Sequence, residues 1–162
     1  MARDTLRYLL QQTGLLTCPP FWRDKQFYLA LLARLIVLTV IYFFIPSNTD
    51  IIKTGQWGLL FSLILWQPFV EELLFRGVIQ GQIAQTSWGQ RNWFKISTAN
   101  LLTSLAFIAL HFVYHPSLWA LAIFFPSLVF GYFRERHLSL YSAFALHSLY
   151  NLGYLVTASL ST

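Results

Sequence analysis

Glu71 and Glu72 stand side by side in Trp66-Gln67-Pro68-Phe69-Val70-Glu71-Glu72-Leu73-Leu74-Phe75-Arg76-Gly77. Neighbouring residues on a helix project about 100° apart, so the two carboxylates face different surroundings. Glu72 and Arg76 are four apart and share a face, an ion-pair spacing. Arg76 then offsets Glu72, and Glu71 is left to act on something else. Pro68 removes a backbone donor just upstream and can open the helix there. Two placements compete for the glutamates. Either the apolar run ends at Val70 and both sit among headgroups, or it continues through Leu73, Leu74, Phe75, Val78 and Ile79 and buries them.

Two further patterns carry side chains of the same kind. His111 closes Leu105-Ala106-Phe107-Ile108-Ala109-Leu110-His111, with Phe107 one turn earlier as a wall for the imidazole. Taken alone, such a histidine is more often an interfacial residue than a catalyst, and His115 is read as interfacial. His147 and Asn151 are four apart and about 6 Å along one face, so both can donate to one point or clamp two helices. Together a carboxylate, two imidazoles and an amide supply a base for water, a partner to orient it and donors for an oxyanion.

These residues are conspicuous because the chain has so few like them. Of 162 residues 56% are hydrophobic, 18% aromatic and only 10% charged, with mean hydropathy +0.54. A soluble domain carries roughly 25% charged residues. A water-soluble globule and a disordered chain are both excluded, and an integral membrane protein is expected. An ionisable group in hydrocarbon costs about 2.5–3.5 kcal/mol on insertion scales and is functional by default. Arg34 is also in this class, with no partner close in sequence; snorkelling toward the interface accounts for it.

The elements that must position these groups are apolar runs at 27–45, 57–80, 97–115, 117–133 and 138–160. Crossing ~30 Å of hydrocarbon takes about 20 residues, so the expected fold is all-α, a bundle of about five transmembrane spans. Breaks are read at Pro46-Ser47-Asn48, Ser87-Trp88-Gly89-Gln90, His115-Pro116 and Arg134-Glu135-Arg136. Residues 5–16 are apolar at helical spacing but too short to span, and read as an N-terminal interfacial helix. The whole chain, 1–162, is expected to form one membrane-embedded domain, with no cleavable signal and its chemistry among the helices.

The net charge of +5 and pI near 9.6 reflect topogenic bias rather than nucleic-acid binding. Arg3, Arg7, Arg23, Lys25, Arg91, Lys95, Arg134 and Arg136 fall on one side and Lys53 alone on the other. The N-terminus is therefore expected in the cytoplasm and the C-terminus outside. Trp22, Trp57, Trp93 and Trp119 fall near run ends, where indole rings suit the interface. Cys18 is the only cysteine, so no internal disulfide or cysteine zinc cluster forms. Its place before the first run is incidental or a lipidation site.

Glu71-Glu72-x-x-x-Arg76, Phe107-x-x-x-His111 and His147-x-x-x-Asn151, in that order, resemble the CPBP family of intramembrane proteases. This family comprises the CAAX-prenyl-protease-like and bacteriocin-immunity-like (Abi) proteins. The motif-bearing core is about 57–155, Gly131-Tyr132-Phe133-Arg134 also fits, and the chain is similar to the small sorting-associated branch. The resemblance implies an endopeptidase that cleaves near the C-terminus of a membrane-anchored or lipidated protein, in a bacterial cell membrane. Glu71 would be the general base, assisted by His111. His147 and Asn151 would stabilise the oxyanion, and Glu72 with Arg76 would position the base.

No cofactor is expected, although Glu71, His111 and His147 could in principle form the His₂Glu set of a catalytic zinc. HExxH, a Gly-flanked Ser–His pair and Gly-x-Gly-Asp are all absent from the sequence. The expected partners are the anchored substrate and the lipid bilayer, not nucleic acid. The competing function is a non-catalytic membrane immunity or partner-binding protein using the same polar set for helix packing. A proton-coupled transporter fits less well, because no internal repeat is present.

Overall fold

The computed structural model describes residues 2–44, 57–114 and 121–160. Its principal helices are α1 (Ala2–Thr13), α2 (Lys25–Phe44), α3 (Trp57–Ile83), α4 (Thr98–Tyr114), α5 (Phe124–His137) and α6 (Leu140–Leu160). The expected all-α class is thus observed. A short hairpin pairs β1 (Asn92–Trp93) with β2 (Ile96–Ser97), its turn at Phe94 and Lys95 having φ of 49° and 68°. That hairpin lies in the loop expected between the second and third runs and had no sequence signal of the Asn-Gly kind. Contacts divide the chain into two compact units, Met1–Pro19 with Glu71–Phe144, and Pro20–Val70 with Ala145–Thr162.

In the first unit α4 packs on α5, and the second half of α3 packs on both and on α1. Phe75, Phe107, Ile108, Phe130 and Phe133 are buried there. So are Glu72, Arg76, Gln80, Asn100, Thr103, Ser104 and Ser127, each 0–1% exposed, whereas Leu74, Val78, Leu102 and Leu105 lie outside. Polar groups inside and aliphatic groups outside is the arrangement that a hydrocarbon solvent favours, where small and polar residues carry the helix contacts. Gly131 shows how close these approaches are: a Cβ there would collide with the Asn100 side chain. Asn100 is held in place, its Nδ2 donating to Leu128 O at 2.9 Å and its Oδ1 accepting from Ser104 Oγ at 3.2 Å.

The N-terminal helix is tied into this unit by its end. Gly14, at φ +76°, closes α1 with Leu15 N–H donating to Leu10 O and Gly14 N–H to Gln11 O, a Schellman cap. The carbonyls beyond the cap are then taken up by the α5–α6 corner. Arg134 Nη2 donates to Gln12 O at 2.7 Å, Leu140 N–H to Gly14 O at 2.9 Å and Ser139 Oγ to Thr17 O at 2.8 Å. Gly81 makes room for this docking, since a Cβ there would stand 2.8 Å from Gln12 O.

In the second unit Asp24 caps α2, its Oδ1 accepting from Gln26 N–H at 2.9 Å. Tyr150 Oη on α6 donates to Ala30 O on α2 at 2.9 Å. The exposed flank of α2 carries Leu29, Leu32, Ile36 and Val37. Trp57, Phe61, Ile64, Leu152 and Leu155 line an apolar cleft of about 420 Å³.

The structure revises the expected elements in several places. Among the described residues only Trp57–Ile83 is both long and apolar enough to cross a membrane; Thr98–Val113 is apolar but shorter. Arg134-Glu135-Arg136 is the last turn of α5, not a linker, because cations suit a helix C-terminus and Glu135 is held by neighbours described below. The helix stops one residue after His137, at Leu138 with φ 48°. Pro46-Ser47-Asn48, Lys53, His115-Pro116, Trp119 and the start of the 117–133 run lie outside the described residues.

Gly131→Ala should destabilise the protein by about 1–3 kcal/mol through overpacking against Asn100. Gly58→Ala, with open space around it, should be neutral or slightly stabilising, as expected for glycine in a helix. Thermal unfolding in detergent compares them, and equal effects would contradict the close-approach account.

Candidate functional site

The two glutamates ride on a short α-helical stretch, Gln67–Glu72, bracketed by two wide-turn segments, Ser62–Trp66 and Leu73–Gln80. Such π segments recur at functional sites and open the hydrogen-bond ladder. The first has a cause in sequence: the Pro68 ring would clash with the carbonyl four residues back in a regular helix. Gln67 N–H instead reaches back five residues to Ser62 O.

Arg76 is fully buried and so is Glu72, with Arg76 Nε 3.5 Å from Glu72 Oε2. Arg76 Nη2 also donates to Ser127 O at 3.0 Å and Ser127 Oγ at 2.8 Å on α5. Its Cζ lies 5.1 Å from the centroid of the Phe107 ring on α4. One guanidinium therefore joins three helices. The spacing argument for the Glu72–Arg76 pair is realised, with both side chains buried inside the protein. Glu71, about 100° around the helix, is partly exposed.

Phe107 is 1% exposed and packs edge-on to Phe75, their centroids 4.9 Å apart. The His111 ring lies 4.3 Å from Phe107, so the wall anticipated for the imidazole is present. His111 Nδ1 is 3.0 Å from Phe107 O. A carbonyl only accepts, so Nδ1 carries the proton in that bond, and in the neutral ring Nε2 is then the acceptor.

Several members of the first unit's polar interior escaped the sequence reading. Gln80 Nε2 donates to Gly131 O at 3.0 Å and Glu135 Oε1 at 2.8 Å. Ser97 Oγ donates to Glu135 and accepts Asn100 N–H at 2.9 Å, which makes Ser97 the N-cap of α4. Glu135 falls in the charged triplet Arg134-Glu135-Arg136, whose sequence reads as a break between runs. Gln80 had a signal, for Glu72, Arg76 and Gln80 form a four-residue ladder on one face. Asn100, Ser104, Phe107 and His111 form a second such stripe.

His147 and Asn151 belong to the second unit, and His147 is 7% exposed. Asn151 Nδ2 donates to Leu63 O at 2.9 Å. That carbonyl needs an outside donor. Gln67 N–H is engaged by Ser62 O, and the next residue, Pro68, has no N–H. The clamp role open to Asn151 is therefore filled, with one of its two amide hydrogens still free for another acceptor. Arg34, expected to snorkel, instead lies against α6 with its Cζ 4.8 Å from the centroid of the Tyr150 ring. Among the described residues no three His, Cys, Asp or Glu side chains gather as a metal-binding set.

Two stability measurements test this geometry. Arg76→Met should cost about 3–5 kcal/mol by stranding buried Glu72, and the double variant with Glu72→Leu should regain most of it. Asn151→Ala should cost about 1–3 kcal/mol by stranding the Leu63 carbonyl. That cost should shrink in a Pro68→Ala background, which restores a backbone donor; additive effects in this cycle would reject the clamp.

The family model described as type II CAAX prenyl endopeptidase Rce1-like matches residues 53–153. No curated protein and no solved structure matches the chain. The matched region holds Glu71-Glu72-x-x-x-Arg76, Phe107-x-x-x-His111 and His147-x-x-x-Asn151, and leaves out α1 and α2. With more than half of its length matched, the chain belongs to the Rce1-like family of type II CAAX prenyl endopeptidases.

Proposed function

We propose that this protein is an intramembrane endopeptidase that hydrolyses a peptide bond near the C-terminus of a membrane-anchored or lipidated protein. It would sit in a bacterial cell membrane with about five spans and a cytoplasmic N-terminus, following the charge bias of its loops. The family supplies the reaction class, and one observation carries the assignment of roles. Glu72 is fully buried beside Arg76, whereas Glu71 on the neighbouring face is half-exposed and so is the more accessible of the two carboxylates.

In this mechanism Glu71 takes a proton from water while His111 orients that water through Nε2. The nascent hydroxide adds to the scissile carbonyl. His147 and the second amide hydrogen of Asn151 donate to the resulting oxyanion. Glu71 then returns its proton to the departing amine as the C–N bond breaks, giving a carboxylate and a free amine. No acyl-enzyme forms and no metal is used. The apolar cleft beside Trp57 and Leu152 has a surface suited to a hydrocarbon anchor. The rival reading, a non-catalytic partner-binding protein, draws on the Asn151 clamp, which is a packing role.

Glu71→Gln separates the two. Cleavage of a farnesylated Cys-a-a-X peptide in liposomes should fall about 10²–10⁴-fold, the usual contribution of a general base. The thermal midpoint should be unchanged. Retained cleavage, or unfolding of the variant, rejects Glu71 as the base. Chelators should leave the rate unaltered, and stoichiometric zinc whose removal abolishes turnover would overturn the metal-free step.

A further inference from the structure

Arg34 stands outside the matched family region, on a helix whose exposed neighbours Leu32, Leu35 and Ile36 are aliphatic. About nine residues of α2 separate it from the Lys25 end, roughly 14 Å along the helix axis. A cation at that depth is expensive unless it has a partner or a task. Its surroundings are built to hold it. The guanidinium faces the Tyr150 ring at 4.8 Å. A Cβ at Gly153 would collide with both of its terminal nitrogens, so only glycine lets it lie on α6 at that point. Tyr150 is itself fixed by its bond to Ala30 O.

Among the described residues, none supplies this cradle with an anion. Arg34 Nη2 is buried and has no hydrogen-bond partner among the described residues. Asp24, the other charged group of opposite sign described in this unit, caps the start of α2 instead. The aromatic ring offsets only part of the charge, and the residue as a whole is half-buried. Gly153 lies six residues beyond His147 on α6, about 9 Å along the axis. A three-residue segment, such as the a-a-X of a Cys-a-a-X terminus, spans roughly 10 Å when extended.

We infer that Arg34, seated on Gly153 and Tyr150, is an anion subsite that takes the C-terminal carboxylate of the peptide substrate. The assignment rests on the hydrolase reading, which places the scissile carbonyl at His147. The carboxylate receives a charge-assisted hydrogen bond from the guanidinium and neutralises it. Substrates would then be measured from their free C-terminus, and a chain continuing past that point would be refused.

The test uses the full-length protein in phosphatidylcholine liposomes and two farnesylated Cys-a-a-X peptides, one ending in a free acid and one in an amide. Binding is read by photocrosslinking competition and cleavage by product release. The free acid should bind about 10- to 100-fold more tightly, as expected for one hydrogen bond to a charged group. The difference should appear in Kd and KM rather than in kcat. Arg34→Gln should bring the acid-to-amide ratio close to one, and Arg34→Lys should retain part of it. Gly153→Ala, which keeps the charge but displaces it, should also reduce the ratio.

An acid preference that survives Arg34→Gln overturns the inference, as does wild-type protein that binds both peptides equally or binds neither. So does loss of the preference when phosphatidylglycerol is added, which would make a lipid phosphate the occupant. Preferential binding of the acid without cleavage would refute the hydrolase reading while leaving the carboxylate subsite standing.

Discussion

The first unit is organised around one guanidinium buried away from water. Arg76 is fully buried, and an uncompensated charge in that setting would cost several kcal/mol. Its partners come from three helices: Glu72 from its own turn, Ser127 from α5 and the Phe107 face from α4. Each partner fixes a different degree of freedom. The ion pair sets the rotamer of Arg76, the serine sets the height of α5 against α3, and the ring sets the approach of α4. Because Phe107 also stacks on His111 and accepts its Nδ1 proton, the same demand orients the imidazole. Removing Arg76 would therefore disturb the histidine through packing as well as the glutamate through charge.

A parallel constraint acts on the backbone of α3 in the second unit. Pro68 forces a wide turn, and the wide turn leaves Leu63 O without an intrahelical donor. In hydrocarbon such a carbonyl has no water to turn to, so a side chain must reach it. Asn151 does so, and its amide is thereby fixed. A helix break and an asparagine far apart in sequence become one device. The same bond narrows what Asn151 can do, since only one amide hydrogen remains for an oxyanion.

Legibility in the sequence followed the physics of each feature. The Glu72–Arg76 pair was readable because i, i+4 geometry is local and the cost of a lone buried charge is large. Phe107 and His111 were readable for the same local reason. Glu135 was not, because a charged triplet between apolar runs looks like a loop until Gln80 and Ser97 are seen to hold it. The docking of α1 was equally hidden: it depends on carbonyls of Gln12, Gly14 and Thr17, and backbone acceptors leave no trace in residue type. Arg34 was misjudged because its ring partner and its glycine seat lie more than a hundred residues away. Four of the runs coincide closely with helices, and the remaining one, 117–133, differs because its helix continues through Arg134-Glu135-Arg136 to His137. Their number as spans is a question of length and apolarity that only Trp57–Ile83 answers among the described residues.

These features bear on a difficulty specific to hydrolysis in a membrane. Water must be activated where few polar groups are tolerated, and each one tolerated tends to be consumed by its neighbours. Here consumption is selective. Glu72 and Ser127 are taken up by Arg76, Glu135 by Gln80 and Ser97, and Asn100 by the Leu128 carbonyl, and these bonds tie the helices of the first unit together. His111 has one nitrogen tied to a carbonyl, which defines the basic character of the other. Asn151 has one amide hydrogen tied in the same way. Each partly engaged group is oriented by the bond it makes and keeps one functional atom in reserve. Within each unit, the interactions that make the polar groups tolerable in hydrocarbon are also the ones that aim them.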